Sequence, residues 1–246
     1  MFLKMFSQNM LKWLVSVTIL ALSGCMDIEQ EIWIHDDASA TIEYRVGLHE
    51  HSLEVAKHKS PDIVCSDVHQ DKSVLESLEG VEQVEQQTRH ESGIYYCDTK
   101  VKVEHYSQLK SVHEKIMASK AGESQSLAER YLAEFTLQEN NEGKGYFRQH
   151  VMNKAGDEKN KSRLDIQVQG LADMLVGQAM AGRYWTITLH GSDITSANSE
   201  INKEKQQVVW RVPLYDLMVD QNYAFDMQAS FEVDLPWYQK LWKWVT

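Results

Sequence analysis

The first residue that could do chemistry is Cys25, at the end of an N-terminal segment with the features of an export signal. Lys4 and Lys12 form a basic start without acidic residues, an apolar run begins at Trp13, and Leu22-Ser23-Gly24 precedes the cysteine. The apolar run of about 10 residues is far shorter than the ~20 that span a bilayer as a helix. The thiol at this position is a group that can be alkylated.

Leu22-Ser23-Gly24-Cys25 resembles the lipobox of bacterial lipoproteins. The resemblance implies a diacylglycerol on the Cys25 thiol, cleavage of residues 1–24 and acylation of the new amine, for example with palmitate. Two or three acyl chains, at about 0.8 kcal/mol per buried methylene, hold far better than one. Because Met26 follows rather than Asp, the sorting rule implies the inner leaflet of the outer membrane if the host has two membranes. An ordinary signal peptide with an accidental cysteine is the alternative.

Cys65 and Cys97 are the cysteines that follow the anchor. In an oxidising compartment two such cysteines are most simply a disulfide. The bond would close a loop of about 33 residues and stabilise the fold by roughly 3–4 kcal/mol. Two buried thiols are the alternative, and no Cys-x-x-Cys motif suggests a metal or redox role.

A metal site is the next chemistry to consider. His49 and His51 flank Glu50, and His58 follows. A His-x-His pair on a strand puts both imidazoles on one face, a geometry that binds zinc. No cysteine or compact acidic set completes four ligands, so an exposed polar loop is the favoured interpretation. We expect no metal and no cofactor.

Catalytic motifs are missing from the sequence. It contains no Gly-x-Ser-x-Gly, His-Glu-x-x-His, Walker or Gly-x-Gly-x-x-Gly pattern. Counting residues does not decide whether a Ser/His/Asp triad forms. We expect no catalytic residue and no enzyme.

An apolar binding site is predicted where small and flexible side chains gather. The predicted helix 168–180 combines Gly and Ala with Leu and Met, and the predicted strand 223–233 carries further apolar groups. Such surfaces suit variable apolar ligands, and a plain core helix is the alternative. The candidate lining residues are Leu171, Met174, Leu175, Met180, Phe225, Met227 and Phe231.

The C-terminal tail, residues 236–246, interleaves aromatic and basic side chains. Such side chains favour a membrane interface; packing back onto the domain and docking a partner are the alternatives. The residues that carry this prediction are Trp237, Lys240, Leu241, Trp242 and Trp244.

Composition limits the partners. Cleavage after residue 24 removes both lysines of the signal, so the formal net charge changes from −11 to −13. An acidic chain is a poor candidate for binding nucleic acid or for adhering broadly to anionic lipid. We predict a signal peptide at 1–24, one extracytoplasmic domain at 25–235 and the tail at 236–246.

The elements that must position these residues are mostly strands. Alternating apolar residues predict an α+β fold, with antiparallel sheets and helices packed on one face. Strands are predicted at 27–35, 41–46, 81–87, 94–105, 130–138, 145–152, 184–190, 208–212 and 223–233. Helices are predicted at 73–78, 106–118 and 168–180, with a short turn or helix at 215–218.

Two segments resemble the LppM-type domain of bacterial lipoproteins. The first is Ile28-Glu29-Gln30-Glu31-Ile32-Trp33-Ile34 with the turn Asp37-Ala38-Ser39, where Ala38 replaces the family's usual glycine. The second is Thr186-Ile187-Thr188-Leu189-His190-Gly191, Ser196-Ala197-Asn198 and Val208-Val209-Trp210-Arg211-Val212-Pro213-Leu214, where His190 replaces the usual proline. The resemblance implies an α/β envelope domain without established catalysis, for which lipid or glycolipid binding has been suggested. Relatives often carry a C-terminal transmembrane helix, whereas this sequence has no apolar run there.

The sequence therefore predicts a lipid-anchored protein on the extracytoplasmic side of the cell envelope. The first hypothesis is the binding of an apolar or glycolipid ligand near the membrane surface. The second is an interaction module that docks another envelope protein through strand edges and the C-terminal tail.

Overall fold

The computed structural model describes residues 26–50, 65, 69, 71–117, 132–139, 144–153, 180–191, 193–220 and 222–233. The strands are β1 Met26–Ile34, β2 Ala40–His49, β3 Val81–Glu91, β4 Ile94–Val103, β5 Leu132–Glu139, β6 Lys144–Met152, β7 Tyr184–Gly191, β8 Asp193–Ala197, β9 Ile201–Asn202, β10 Gln207–Pro213 and β11 Ala224–Glu232. The helices are α1 Lys72–Glu76, α2 Leu109–Met117 and α3 Leu214–Val219, and a 3-10 turn, Tyr106–Gln108, precedes α2.

The strands form two sheets. The seven-stranded sheet has the order β3-β4-β2-β1-β7-β10-β9, and the four-stranded sheet has the order β5-β6-β11-β8. All pairs are antiparallel except β1 and β7, which run parallel with Ile28 opposite Trp185. The described residues are thus mostly β-sheet with few helices, and the purely antiparallel pairing that we predicted is wrong at β1–β7. The packing of helices on one face stays a prediction.

The core lies between the sheets, because alternate side chains of each strand are apolar and point inward. Phe147 on β6 meets Trp210 on β10 with ring centroids 5.5 Å apart. Gln30 on β1 and Gln149 on β6 are fully buried and exchange two side-chain hydrogen bonds, of 3.1 and 3.3 Å. This amide pair joins the two sheets and satisfies polar groups that would otherwise be costly to bury.

Local sequence signals explain several elements. The β1–β2 hairpin forms as predicted, and Ala38 in its turn has a φ of 67°. This is the left-handed region, which favours glycine over alanine. Asp71 caps α1 through its carboxylate, which accepts the Ser73 N–H at 3.0 Å.

Several boundaries differ from the predictions: β2 and β3 extend to His49 and Glu91, beyond the predicted ends at 46 and 87. The predicted helix 106–118 divides into the 3-10 turn and α2, and β4 ends at Val103. Strand β8, where no element was predicted, pairs with β11. The disulfide between Cys65 and Cys97 forms, with Cα atoms 5.3 Å apart, and both residues are buried.

The seven-stranded sheet has two ends that matter for function. At the basal edge β1 and β7 begin and β2 and β10 end, so Asp27, His49, Tyr184 and Pro213 lie there. At the distal edge lie the hairpin turn 35–39, Gly191 and the turn 203–206. A nine-residue strand places the two edges about 30 Å apart.

Strand β11 of the second sheet runs from the basal to the distal edge. Its start adjoins Tyr223, whose carbonyl accepts the N–H of Asn153 at the end of β6. Its far end carries Phe231, whose ring packs edge-on against Tyr106 beside the hairpin turn, with centroids 5.4 Å apart. The last described residue, Val233, therefore lies at the distal edge.

Candidate functional site

The basal edge is tied directly to the predicted anchor. Cys25 is bonded to Met26, the first residue of β1, so a lipid on its thiol would emerge where β1 begins. Asp27 accepts hydrogen bonds from Nη1 of Arg183 at 2.9 and 3.2 Å. The Arg183 carbonyl in turn accepts the N–H of Leu214, the first residue of α3, at 3.0 Å. Polar contacts thus link the start of β1 to α3.

This edge carries the exposed apolar side chains of the fold. Among the residues whose burial is described, three large apolar side chains are exposed: Tyr184 (44%), Tyr215 (41%) and Val219 (38%). Tyr184 opens β7, while Tyr215 and Val219 lie four residues apart on α3 and therefore share one helix face. Leu214 and Leu217 on the same helix are buried. We call Tyr184, Tyr215 and Val219 the basal apolar patch.

The predicted lining residues that are described lie along the core. Met180 is buried in the turn that precedes β7, and Phe225 is half-buried near the basal start of β11. Met227 and Phe231 follow on the same face of β11 and are fully buried. Leu171, Met174 and Leu175 lie outside the described residues, so a cavity lined by the whole set stays a prediction.

An open cleft of about 730 Å³ lies at the distal edge. Its polar wall includes His35, Asp36, Lys102, His190 and Lys205, and the edge of Trp33 contributes an apolar surface. The cleft thus offers groups of both charges to a ligand, together with the Trp33 ring.

Cross-strand contacts fix the aromatic wall of this cleft. Trp33 on β1 and His190 on β7 are register partners, and their rings stack with centroids 5.1 Å apart. His190 Nε2 lies 3.1 Å from a carboxylate oxygen of Glu31. The Lys100 ammonium lies 5.9 Å from the Trp33 ring centroid, within the range of a cation–π contact.

The other predicted sites are only partly described. Cys25, His51, His58 and all tail residues fall outside the described ranges. His49 lies 3.8 Å from the Asp27 carboxylate. In the part of the chain that the structure covers, no group of three His, Cys, Asp or Glu residues is arranged to hold a metal ion. Within the same ranges no helix is long and apolar enough to cross a membrane.

The most deeply buried titratable pair is Tyr44 with His113. The Tyr44 hydroxyl is hydrogen-bonded to Nδ1 of His113, whose ring stacks on Phe135 with centroids 4.2 Å apart. Burial lowers the pKa of His113 to about 3 and raises the pKa of Tyr44 well above its usual value. Both groups therefore stay neutral, and because both are enclosed in the core we assign them a structural role.

A buried carboxylate lies on the outer face of the seven-stranded sheet. Asp98 is 2% exposed and accepts hydrogen bonds from Nε of Arg45 at 3.0 Å and Nε of Arg89 at 2.7 Å. The Tyr96 ring lies within 6.0 Å of both guanidinium groups. Because the two arginines compensate the carboxylate, this network fixes the register of β2, β3 and β4 without leaving a reactive group.

Sequence reasoning missed both the basal apolar patch and the distal cleft. Trp33 and His190 come together only through the parallel β1–β7 pairing, for which the sequence offers no local turn signal. Tyr215 and Val219 are four residues apart, a spacing that places two side chains on one face of a helix. The segment was predicted only as a short turn or helix, so this face was not recognised. Knowledge of the β1–β7 pairing would have been needed to find either region.

Likeness to known proteins is limited. No family model matches the sequence, and no curated protein matches it. Among solved structures, the chain is similar to the NMR structure of the folded domain of Mycobacterium tuberculosis LppM. The TM-score is 0.48 and the identity 13%, over 87% of this chain and 93% of that chain. Membership of the LppM-type family stays a prediction from the residues quoted above.

Proposed function

We propose that this chain is a lipid-anchored, non-enzymatic protein of the extracytoplasmic cell envelope that binds an apolar or glycolipid ligand near the membrane surface. One observation carries the proposal: the lipobox-like Leu22-Ser23-Gly24-Cys25 is followed at once by β1, whose first residue is Met26. The folded body thus begins at the residue next to the anchor, without a spacer. The Cys65–Cys97 disulfide agrees with an oxidising compartment.

The ligand would enter the core from the basal edge. On the core face of β11, Phe225 lies nearest that edge, and Met227 and Phe231 follow deeper in the body. An acyl chain arriving from the bilayer would meet the half-buried Phe225 first. Met227 supports the proposal because methionine side chains adapt their shape to different apolar neighbours.

Acylation is tested by metabolic labelling with a radioactive fatty acid. We expect label on the wild-type chain and none on Cys25→Ser, together with a shift of the variant from the membrane to the soluble fraction. A wild-type chain without label, or a Cys25→Ser chain that stays equally membrane-bound, would refute the anchor.

Ligand binding is tested on chain that lacks the signal and has been delipidated. After incubation with a membrane lipid extract, mass spectrometry should identify a bound lipid. Phe225→Ser should reduce the amount recovered, whereas Tyr146→Ser, which changes an aromatic residue that points away from the core of the same sheet, should not. Equal loss in both variants, or no lipid with the wild type, would contradict the proposal.

A second candidate function is the docking of an envelope protein at the distal edge. It is favoured by the position of Val233, which lies at the edge opposite to the start of β1 and closely precedes the predicted tail, residues 236–246, in the sequence. The open cleft lies at the same edge. Cross-linking in cells should then yield a complex that is lost when residues 236–246 are deleted. Docking along the edge strand β3 is less favoured, because Glu82, Glu85 and Glu91 are charges that protect a strand edge from pairing.

A further inference from the structure

The basal edge has two properties that arise from different parts of the chain. It is the edge where β1 begins beside the predicted lipid anchor, and it is the edge where Tyr184, Tyr215 and Val219 are exposed. Single apolar residues scattered over a surface need no explanation. Here all the large exposed apolar side chains among the described residues lie on the edge that an anchor would hold against a bilayer.

We propose that the basal apolar patch contacts the lipid bilayer. The basal edge of the protein then faces the membrane, and the distal cleft faces away from it. This inference rests on the proposed acylation of Cys25, and it adds which surface of the body the bilayer covers. Tyrosine suits this place because its ring is apolar and its hydroxyl stays hydrated, as in the aromatic belts of membrane proteins.

Contacts within the protein fix the positions of the elements that form the basal edge. The Asp27–Arg183 ion pair, at 2.9 Å, and the hydrogen bond from Leu214 to the Arg183 carbonyl hold α3 beside the start of β1. With Leu214 and Leu217 packed into the core, Tyr215 and Val219 must face outward. A lipid on the neighbouring Cys25 therefore brings these side chains to the interface without a change of fold.

The contact is apolar rather than electrostatic. The charged residues exposed on and after α3, Asp216 and Asp220, are both acidic, and acidic groups gain nothing from an anionic membrane surface. We therefore expect the patch to rest on neutral phosphatidylcholine and to stay there at high salt, where electrostatic contacts are screened.

The test uses the acylated full-length mature chain in phosphatidylcholine vesicles. With Cys25 acylated and Cys65 bonded to Cys97, an introduced cysteine is a free thiol that accepts an environment-sensitive fluorophore. Asp216→Cys places the fluorophore beside Tyr215 and leaves the patch intact. Lys203→Cys, an exposed charged position in the turn at the distal edge, is the matched control.

The expected result is a blue-shifted emission at position 216 that is quenched by spin-labelled phosphatidylcholine, while position 203 keeps the spectrum of a fluorophore in water. Adding Tyr184→Ser, Tyr215→Ser and Val219→Ser to Asp216→Cys should reduce both the shift and the quenching, and 1 M salt should change neither.

Three outcomes would overturn the inference. One is a water-like spectrum at position 216 on a chain that floats with the vesicles; another is a shift that the three serines leave unchanged. The third is a blue shift without lipid that grows with protein concentration, which would mean that a second copy covers the patch. A chain that does not float with vesicles and carries no acyl group contradicts the anchor instead, so the two failures are distinguishable.

Discussion

The basal and distal edges of the seven-stranded sheet differ in both surface and packing. Both edges expose charged side chains, but Tyr184, Tyr215 and Val219 are exposed at the basal edge, whereas the distal edge has an open cleft. Two glycines illustrate a difference in packing. Gly182 at the basal edge has a φ of 73° and open space around it, whereas a Cβ on Gly145 near the distal edge would lie 2.2 Å from the Phe231 ring.

This difference would let the fold separate the two proposed functions. Strands of about nine residues place the edges about 30 Å apart, so a cleft at the distal edge lies beyond the headgroups of a bilayer in contact with the basal edge. A ligand whose acyl chains stay in that bilayer would meet the basal end of β11, and a soluble ligand or partner would meet the distal cleft.

The largest difference in the free energy of unfolding is expected between substitutions of two aromatic residues, one at each edge. Phe231 is fully buried near the distal edge, so Phe231→Ala should lower the free energy of unfolding by about 3–5 kcal/mol. Tyr215 is 41% exposed, so Tyr215→Ala should change it by no more than about 0.5 kcal/mol. Urea denaturation measures both. Similar losses for the two variants would mean that Tyr215 belongs to the core and not to a surface patch.

The disulfide should stabilise the basal half of β4. Cys97 lies near the start of β4 and is bonded to Cys65, whereas the distal hairpin turn is held by hydrogen bonds such as that from the Tyr106 N–H to the Ala38 carbonyl. Changing both cysteines to alanine should lower the free energy of unfolding by roughly 3–4 kcal/mol.

The control for the disulfide is the wild-type chain with a reducing agent, which should reproduce most of the loss. The double alanine variant should not respond to the same agent. A wild type whose urea midpoint is unchanged by reduction would contradict the stabilising role.

The stability of the protein in acid should depend on His113, which is buried in the core. Burial lowers the folded-state pKa of His113 to about 3, against 6.5 for an unperturbed histidine. Between these two pKa values the unfolded chain binds a proton at His113 and the folded chain does not. The free energy of unfolding is therefore unaffected by this group above pH 6.5 and decreases as the pH falls toward 3. Between pH 7 and pH 5 the loss from this group should be about 2 kcal/mol.

His113→Gln isolates that contribution. The variant will be less stable at every pH if Tyr44 loses its partner, but its loss between pH 7 and pH 5 should be smaller than that of the wild type. The quantity compared is thus the slope of the free energy of unfolding against pH. Two parallel curves would exclude His113 as the source of acid sensitivity.

The sequence predicted what local signals encode. Alternating apolar residues around an acidic turn predicted the β1–β2 hairpin, which the structure confirms. The anchor at Cys25 stays a prediction from a short run of residues. The β1–β7 pair was missed, because parallel partners so distant along the chain have no turn between them to reveal their register. Strand β8 was missed because Asp193–Ala197 is mostly exposed, so it shows no apolar alternation.

The same distinction applies to the candidate site. A motif of adjacent residues predicts the anchor, whereas the basal apolar patch forms only because β1, β7 and α3 lie side by side. That arrangement depends on the parallel pairing and on the contacts of Arg183, neither of which has a sequence signature. The predicted lining residues Met227 and Phe231 were correctly placed on one face of a strand, yet the pattern could not tell a packed core from a cavity.

The smallest difference in the free energy of unfolding is expected between substitutions of two glycines. Gly145→Ala should lower the free energy of unfolding by about 1–3 kcal/mol, because the new methyl group overlaps the buried Phe231 ring. Gly182→Ala should cost about 1 kcal/mol, because only the left-handed backbone is strained and no neighbour lies within 4 Å.

Two further variants separate these mechanisms. Phe231→Leu should relieve part of the cost of Gly145→Ala in a double-mutant cycle, because the smaller side chain makes room for the methyl group. Gly182→Asn should be milder than Gly182→Ala, because asparagine adopts the left-handed region more readily. If Gly145→Ala cost less than Gly182→Ala in urea denaturation, the distal end would not be the more tightly packed one.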